Sequence, residues 1–200
     1  MNLPVIVLKG LVLLPNNEIR LEFDDDVSKS LIEIATIFHE DKIIVANCFD
    51  MESIDIDVSN LKKIGVLGIV KNKIILPSGK TRVTIEGLKR VLVREYIKVD
   101  NLIEASINDI KDNIDSDIVT ATKRKIKYEL KKCIDSVPTI SNGVLSRLDS
   151  IDSLSLMIDT IVNYMPLNKE RVCAYANTKD VIERSEMLYM IYTKKKHYMK

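Results

Sequence analysis

The feature that most constrains the fold is a stretch rich in β-branched residues, which runs from Gly65 to Tyr96. Val and Ile are stiff at χ1 and pack well on a pleated surface, so their density predicts strands. Polar and apolar side chains alternate from Lys80 to Glu86, which predicts one solvated and one buried face. Pro77-Ser78-Gly79-Lys80 is typical of a tight turn. The stretch therefore predicts a strand, a tight turn and a second strand. After a short break, a further strand is predicted to close the sheet near Val99.

The residues before this stretch predict the partners of the sheet. They are a strand at Leu3–Leu8 that is apolar enough to be buried on both faces, an apolar loop at Leu11–Pro15, a strand at Glu18–Phe23, a helix, a strand at Lys42–Ala46 and an exposed connection at Met51–Asn60. Asp24-Asp25-Asp26 precedes the helix, where carboxylates cap the free N–H groups of the first turn. Its buried face is predicted to hold Val27, Leu31, Ile34, Ile37 and Phe38.

The periodicity changes near residue 110 and becomes helical. One stripe of apolar residues begins at Ile114, includes Ile118 and Ile126, and ends at Val137-Pro138. Further helices are predicted at residues 141–148, 151–165 and 168–176, and a last one is predicted to be capped by Thr178. The pattern favours an α+β chain with a mainly antiparallel β-subdomain at residues 1–110 and a helical subdomain at 111–200.

Composition excludes several function classes. The net charge of +1 gives no global field toward nucleic acid, membranes or acidic ligands. Three unpaired cysteines, Cys48, Cys133 and Cys173, are typical of free thiols in a reducing compartment. No stretch approaches the roughly 20 apolar residues of a membrane span, and the apolar start lacks the features of a secretory signal. We expect a cytoplasmic protein.

The motifs that could carry chemistry have simpler structural interpretations. Ser78-Gly79-Lys80-Thr81 ends like a phosphate-binding loop, but Ile74 stands where that motif needs its first Gly. His39 is expected only to end the first helix, and Asp24–Asp26 is favoured as a helix cap over a cation site. His197 and the cysteines have no metal-ligand spacing. We expect no catalytic residue, metal or cofactor in this chain.

Two motifs in order give a family resemblance. The opening Leu3-Pro4-Val5-Ile6-Val7-Leu8, with the loop up to Pro15, and the hairpin followed by Glu86-Gly87-Leu88, together resemble the N-terminal domain of the Lon family of ATP-dependent proteases. In the helical half, the helix that ends at Met165-Pro166 before two more helices is similar to the same family. Asn16 departs from it, because members often carry Gly there.

The resemblance implies more than the residues alone do. It implies a PUA-like β-subdomain, followed by helices that lead toward an AAA+ module absent from these 200 residues. It also implies a substrate-recognition and assembly domain, which binds exposed apolar segments of unfolded or damaged proteins and delivers them to an ATPase and protease ring. The parent would be a homo-hexameric serine endopeptidase that uses ATP and Mg. The isolated domain would be a monomer or weak dimer.

Candidate binding residues are the apolar side chains that predicted turns would push outward. They are Leu13, Leu14 and Pro15 after the first strand, Met51 in the exposed connection, and Leu76 and Pro77 at the hairpin tip. An exposed apolar patch with a polar rim can hold unfolded segments weakly and without sequence preference. Each of these side chains could instead pack against the helices.

Two other functions remain open at this stage. PUA-like folds also bind RNA, and basic residues are plentiful at Lys71, Lys73, Lys80, Arg82, Lys89, Arg90 and Arg94. Nucleic acid is nevertheless disfavoured, because Trp is absent and aromatic residues make up only 5% of the chain. A free-standing LON-domain protein without a motor is the other alternative.

Overall fold

The computed structural model describes residues 2–49, 56–111, 114–133, 142–165 and 167–198. The chain forms two compact units, Met1–Ile110 and Lys111–Lys200. In the described ranges the first unit holds the strands and one α-helix, and the second unit is helical. The predicted α+β class is confirmed.

The first unit is built on a six-stranded sheet. Its strands are β1 (Leu3–Lys9), β2 (Glu18–Phe23), β3 (Lys42–Phe49), β4 (Ile64–Ile75), β5 (Thr81–Val99) and β6 (Leu102–Asp109). The order is β2-β5-β4-β3-β1-β6, and β6 also pairs with β5. Strands β5, β4, β3, β1 and β6 therefore form a closed barrel, and β2 lies outside it. β1 and β3 are parallel, whereas the other pairs are antiparallel.

Strand β5 connects the barrel to the outer hairpin. Its first part pairs with β2 and its last part with β6, while β4 pairs with it from Thr81 to Leu92. The predicted break in this region is wrong, because the chain passes Gly87 as a strand with a register shift opposite Leu67 and Gly68. The expected end of the sheet near Val99 is also wrong, since β6 follows directly. Its alternation is weak, with only Ile103 and Ala105 buried.

Apolar side chains pack on both faces of the sheet. Leu3 and Val5 belong to one buried cluster, whereas Ile6 and Leu8 belong to the other, which also contains side chains of the first helix. Strand β1 is therefore buried on both faces, as its apolar sequence predicts.

Helix α1 (Asp26–Phe38) covers one face of the sheet. The Asp25 carboxylate accepts a hydrogen bond from the Ser28 N–H at 2.7 Å, so the predicted acidic cap is confirmed. The prediction that Ile37 and Phe38 are buried is wrong, because they are 69% and 68% exposed. The helix ends at Phe38, and Leu31, Ile32 and Ala35 of the preceding turns fill the contact with the sheet instead.

The second unit contains five described helices. They are α2 (Ser116–Cys133), α3 (Asn142–Asp149), α4 (Leu154–Asn163), α5 (Lys169–Ala176) and α6 (Val181–Tyr198). The end predicted for the first of them at Val137-Pro138 lies outside the described residues. Two details correct the sequence analysis. Ile118 is 52% exposed rather than buried, and Asp180, not Thr178, caps α6 by accepting a hydrogen bond from the Glu183 N–H.

Cysteine usage also differs from expectation. Cys173 is disulfide-bonded, so the expected free thiol is wrong at this position. No helix in the described ranges is both long enough and apolar enough to cross a membrane.

A buried polar network joins α4, α5 and α6. Arg184 and Asp159 form an ion pair at 3.0 Å, and both side chains are 1% exposed. The Tyr175 hydroxyl donates to the same Asp159 oxygen at 2.6 Å, and Arg184 also donates to Ser155. Charges that are buried together in this way hold their helices in one arrangement, because separating them leaves a charge without compensation in an apolar interior.

We expect Arg184→Met to lower the free energy of unfolding of the helical unit by about 3–5 kcal/mol, because it leaves the Asp159 carboxylate buried without its counter-charge. Urea denaturation followed by circular dichroism measures the loss. The matched control is Lys127→Met, which removes an ion pair to a largely exposed Asp149 and is expected to cost less than about 1 kcal/mol. Equal losses in the two variants would contradict the assignment.

Candidate binding surface

The loop that follows β1 is enclosed rather than exposed. Leu13 is 0% exposed, Leu14 is 2% exposed, and Pro15 is also buried. Leu13 packs in the same cluster as Ile32 of helix α1. The prediction that a turn pushes these three residues outward is therefore wrong, and they are part of the core.

Side-chain and backbone hydrogen bonds hold this loop in place. The Asn47 side chain, on β3, accepts from the Leu13 N–H at 2.9 Å and donates to the Leu13 carbonyl at 2.8 Å. The Asn16 N–H donates to the Gly87 carbonyl, and the Gly87 N–H donates to the Asn17 carbonyl. Asn16 has a φ of 58°, which Gly adopts freely and Asn tolerates better than most residues. Asn16 therefore permits the turn, although it departs from the Gly that the family pattern often has at this position.

Gly87 is required where the loop crosses β5. A Cβ atom at this position would lie 2.5 Å from the Leu14 carbonyl oxygen, which is a backbone atom and cannot move alone. The loop therefore rests directly on the strand, without an intervening side chain.

The hairpin tip is the part of the predicted patch that reaches solvent. Gly79 has a φ of 80° and donates its N–H to the Leu76 carbonyl, so the GKT sequence forms a turn between two strands. Pro77 is exposed and Leu76 is half-buried. Met51, the remaining candidate, lies outside the described residues.

The exposed apolar residues that were missed as candidates include four at the ends of β4 and α1. Ile74 and Ile75 at the end of β4 are 54% and 73% exposed, and Ile37 and Phe38 at the end of α1 were expected to be buried. A signal was present in the sequence for β4, because Lys71, Asn72 and Lys73 interrupt its apolar run before the two Ile residues. Isolated strand patterns do not show which part of a strand extends past its neighbours.

Helix α1 and the hairpin are joined to each other. The Lys73 ammonium lies 3.1 Å from the Glu33 carboxylate, and the Val70 N–H donates to the Asp41 carbonyl at 2.9 Å. Ile37 follows Glu33 by one helical turn, and Ile75 follows Lys73 by two residues on the same face of the strand. Ile74 projects from the opposite face of the strand. We define the hairpin surface by the apolar residues of the hairpin tip and the end of α1, which are Ile37, Phe38, Ile74, Ile75, Leu76 and Pro77.

Ion pairs surround the hairpin surface. Lys71 pairs with Glu86 at 2.7 Å, Arg82 with Glu22 at 2.6 Å and Lys80 with Asp24 at 3.9 Å. The hydrogen bond to Glu86 and its negative charge raise the pKa of Lys71. Lys89 pairs with Asp109 and Arg90 is buried. The basic residues that could have formed a nucleic-acid stripe are thus largely engaged with carboxylates.

The helical unit contains a small groove between α5 and α6. Its volume is about 190 Å³, and it is lined by Arg171, Ala174, Tyr175, Met187, Met190 and Ile191. Sites for small ligands occupy roughly 300–1,000 Å³, so this groove is too small to indicate a cofactor pocket. Among the described residues, no group of His, Cys, Asp and Glu is arranged to hold a metal ion.

We expect Gly87→Ala to lower the free energy of unfolding of the first unit by about 2–3 kcal/mol, because the added methyl group forces the loop off β5. Urea denaturation measures the loss, and backbone amide chemical shifts of residues 13–17 report the movement. The control is Gly79→Ala, which faces open space and is expected to cost about 1 kcal/mol through its positive φ alone. A Gly87→Ala variant with unchanged loop shifts would contradict the contact.

Comparison with known proteins agrees with this architecture. A family model described as the ATP-dependent protease La (LON) substrate-binding domain matches residues 2–194. The Lon protease of Brevibacillus choshinensis is 26% identical over 190 residues, which are 94% of this chain and 24% of that protein. The Lon protease of Finegoldia magna is 25% identical over an alignment of 206 positions, which covers 99% of this chain and 26% of that protein. The chain spans about a quarter of the length of these curated relatives.

Two solved structures share the fold. The N-terminal domain of the Mycobacterium avium complex Lon protease superposes with a TM-score of 0.78 at 15% identity, covering 96% of this chain and 98% of that domain. A Lon N-terminal domain protein from Xanthomonas campestris superposes with a TM-score of 0.65, also at 15% identity, covering 95% and 98% of the two chains. At this identity the likeness shows the fold alone.

Proposed function

The chain belongs to the LON substrate-binding domain family, and on that premise we propose that it is the substrate-recognition and assembly domain of a Lon-type ATP-dependent protease. In this role it binds exposed apolar segments of unfolded or damaged proteins and passes them to the ATPase and protease parts of the parent. The parent would be a homo-hexameric serine endopeptidase that uses ATP and Mg. Bond cleavage and nucleotide hydrolysis would both belong to those other parts.

The observation that carries this proposal is the hairpin surface. Unfolded chains expose aliphatic and aromatic side chains that have no shared sequence, so a surface that recognises them needs accessible apolar area rather than a shaped pocket. Ile37, Phe38 and Ile75 are each more than two-thirds exposed, although folding normally buries side chains of this kind. The candidate patch therefore moves from the loop after β1 to the hairpin and the adjoining end of α1.

Weak binding at each domain is compatible with this role. A few partly buried aliphatic contacts give low affinity, since association also has an entropic cost. In a ring of several copies, a client held by one domain meets the next at a high effective concentration, so avidity multiplies the single-site affinity.

We expect the double substitution Ile37→Ser and Ile75→Ser to weaken binding of an unfolded protein about tenfold or more, because each aliphatic contact contributes on the order of 1 kcal/mol when partly buried. Fluorescence anisotropy with fluorescein-labelled, reduced and carboxymethylated α-lactalbumin measures the affinity. The control is Ile118→Ser in the helical unit, a residue of similar exposure. Equal affinities of the two variants would place client binding elsewhere.

A salt titration separates this function from RNA binding. Apolar capture is expected to change little between roughly 50 and 200 mM salt, whereas binding through phosphate contacts weakens steeply. Tight, salt-sensitive binding of a single-stranded RNA would overturn the proposal. The reading frame beyond Lys200 distinguishes a Lon protease from a free-standing LON-domain protein. A cytoplasmic location stays a prediction.

A further inference from the structure

Strand β4 extends past its neighbour β3. It pairs with β5 along most of its length, up to Ile75, but its pairing with β3 ends at Ile69 opposite Lys42. In the described residues no strand pairs with the other edge of β4 beyond that point. Every residue from Lys71 to Ile75 is exposed. The last five residues of β4 therefore form an open strand edge.

The turn before β3 leaves no strand beside this edge of β4 among the described residues; we call that position the open row. Glu40 and Asp41 have φ values of 53° and 61°, so the chain leaves α1 through two left-handed residues and enters the sheet only at Lys42. The Asp41 carbonyl accepts the Val70 N–H at 2.9 Å, which is the last backbone hydrogen bond across this row. The position beside residues 71–75 that β3 would fill if it began earlier is thus vacant among the described residues.

The pairing pattern shows which backbone groups face the open row. The Leu76 N–H donates to the Lys80 carbonyl, and Ile74 and Asn72 stand opposite Arg82 and Thr84 in the same phase. In an antiparallel pair successive residues direct their backbone groups to opposite sides. The N–H and C=O groups of Lys73 and Ile75 therefore point away from β5 and toward the open row.

The other outer strand of the sheet is a poorer edge. Strand β2 also lacks a second neighbour in the described ranges, but its exposed positions are Glu18, Arg20 and Glu22. Charged side chains along an edge discourage pairing with a further strand. The β4 edge also carries Lys71 and Lys73, but it ends in the exposed Ile74 and Ile75. Its Lys73 pairs with Glu33 of α1, the helix that ends in the exposed Ile37 and Phe38.

We propose that an extended segment of an unfolded polypeptide binds by adding as a strand to the β4 edge at residues 71–75. This inference rests on the proposed function and specifies how a client is held. Backbone groups of Lys73 and Ile75 supply up to about four hydrogen bonds that do not depend on client sequence, since each residue offers one donor and one acceptor. The apolar members of the hairpin surface flank the added strand and contact its side chains.

Charge distinguishes between possible occupants. A second copy of this chain paired edge to edge would place Lys71 and Lys73 of both molecules close together across the two strands. Like charges across paired strands are destabilising. A client segment brings no second copy of Lys73 to this edge, and the ammonium groups of Lys71 and Lys73 stay paired with Glu86 and Glu33 of their own molecule.

Hydrogen exchange of backbone amides tests the geometry in the complete chain. With saturating carboxymethylated α-lactalbumin, we expect the Lys73 and Ile75 amides to slow at least tenfold, because they become hydrogen-bonded. The Asn72 and Ile74 amides already face β5 and serve as internal controls, expected to change much less. Client binding that leaves Lys73 and Ile75 unprotected would overturn strand addition while leaving apolar capture intact. No binding of the client at all would overturn the proposed function as well.

A matched pair of peptides tests the same point without changing the protein. The probe is a fluorescein-labelled, acetylated and amidated Val-Thr-Val-Glu-Val-Thr-Val peptide, and its partner carries N-methyl groups on the second, fourth and sixth residues. A third peptide carries N-methyl groups on the first, third, fifth and seventh residues. Each methylated peptide therefore blocks one edge of the added strand and leaves the other edge free. We expect one methylated peptide to bind about tenfold or more weakly and the other to bind like the parent. Equal affinities of all three would contradict backbone pairing.

A substitution on the edge completes the test. Lys73→Pro removes the outward N–H without removing a bond to β5, and proline is tolerated at such edge positions. We expect it to bind the unmodified peptide about tenfold more weakly than Lys73→Ala, which loses only the side chain. Similar affinities of the two variants, or protection of Lys73 and Ile75 that depends on protein concentration without peptide, would overturn the inference.

Discussion

The contact between the loop after β1 and Gly87 of β5 is the constraint on which the first unit depends. The Leu14 carbonyl oxygen lies 2.5 Å from where a Cβ atom of residue 87 would be, and backbone hydrogen bonds join Gly87 to Asn16 and Asn17. This close approach allows Leu13 and Leu14 to enter the core beneath α1, with the Asn47 amide satisfying the Leu13 backbone groups. A larger residue at 87 would separate the loop from the strand that carries both the barrel and the hairpin.

The same arrangement determines which apolar residues remain available for binding. Because the loop is enclosed, its leucines stabilise the fold and cannot contact a client. The hairpin of β4 and β5, in contrast, continues past β3, and among the described strands only β2 lies beside that part of it. Its isoleucines are exposed, and an ion pair joins Lys73 to Glu33 of α1. Among the described residues, exposed apolar side chains and backbone groups without a strand partner therefore occur together at one place, which suits a partner that is extended and variable in sequence.

Sequence patterns predicted the elements of this fold better than their extents. The hairpin turn, the acidic cap of α1 and the buried first strand follow from local chemistry, namely the φ preference of Gly79, the carboxylate of Asp25 and an uninterrupted apolar run. Strand β6 was missed because its alternation is weak, and the break predicted in β5 does not occur because the chain passes Gly87 with a shift in pairing register rather than a gap. The exposure of Ile37 and Phe38 was missed because a helical stripe does not show where the underlying sheet ends.

The sequence by itself determined the α+β class, the position of the hairpin and the resemblance to the Lon family, since these depend on residue types and their spacing along the chain. Only the tertiary structure decided which apolar residues face solvent. Burial depends on what lies across from a side chain, and the contacts that bury Leu13 join it to Asn47 and helix α1 far along the chain. The free edge of β4 has the same origin, because it exists only where β3 begins too late to cover it.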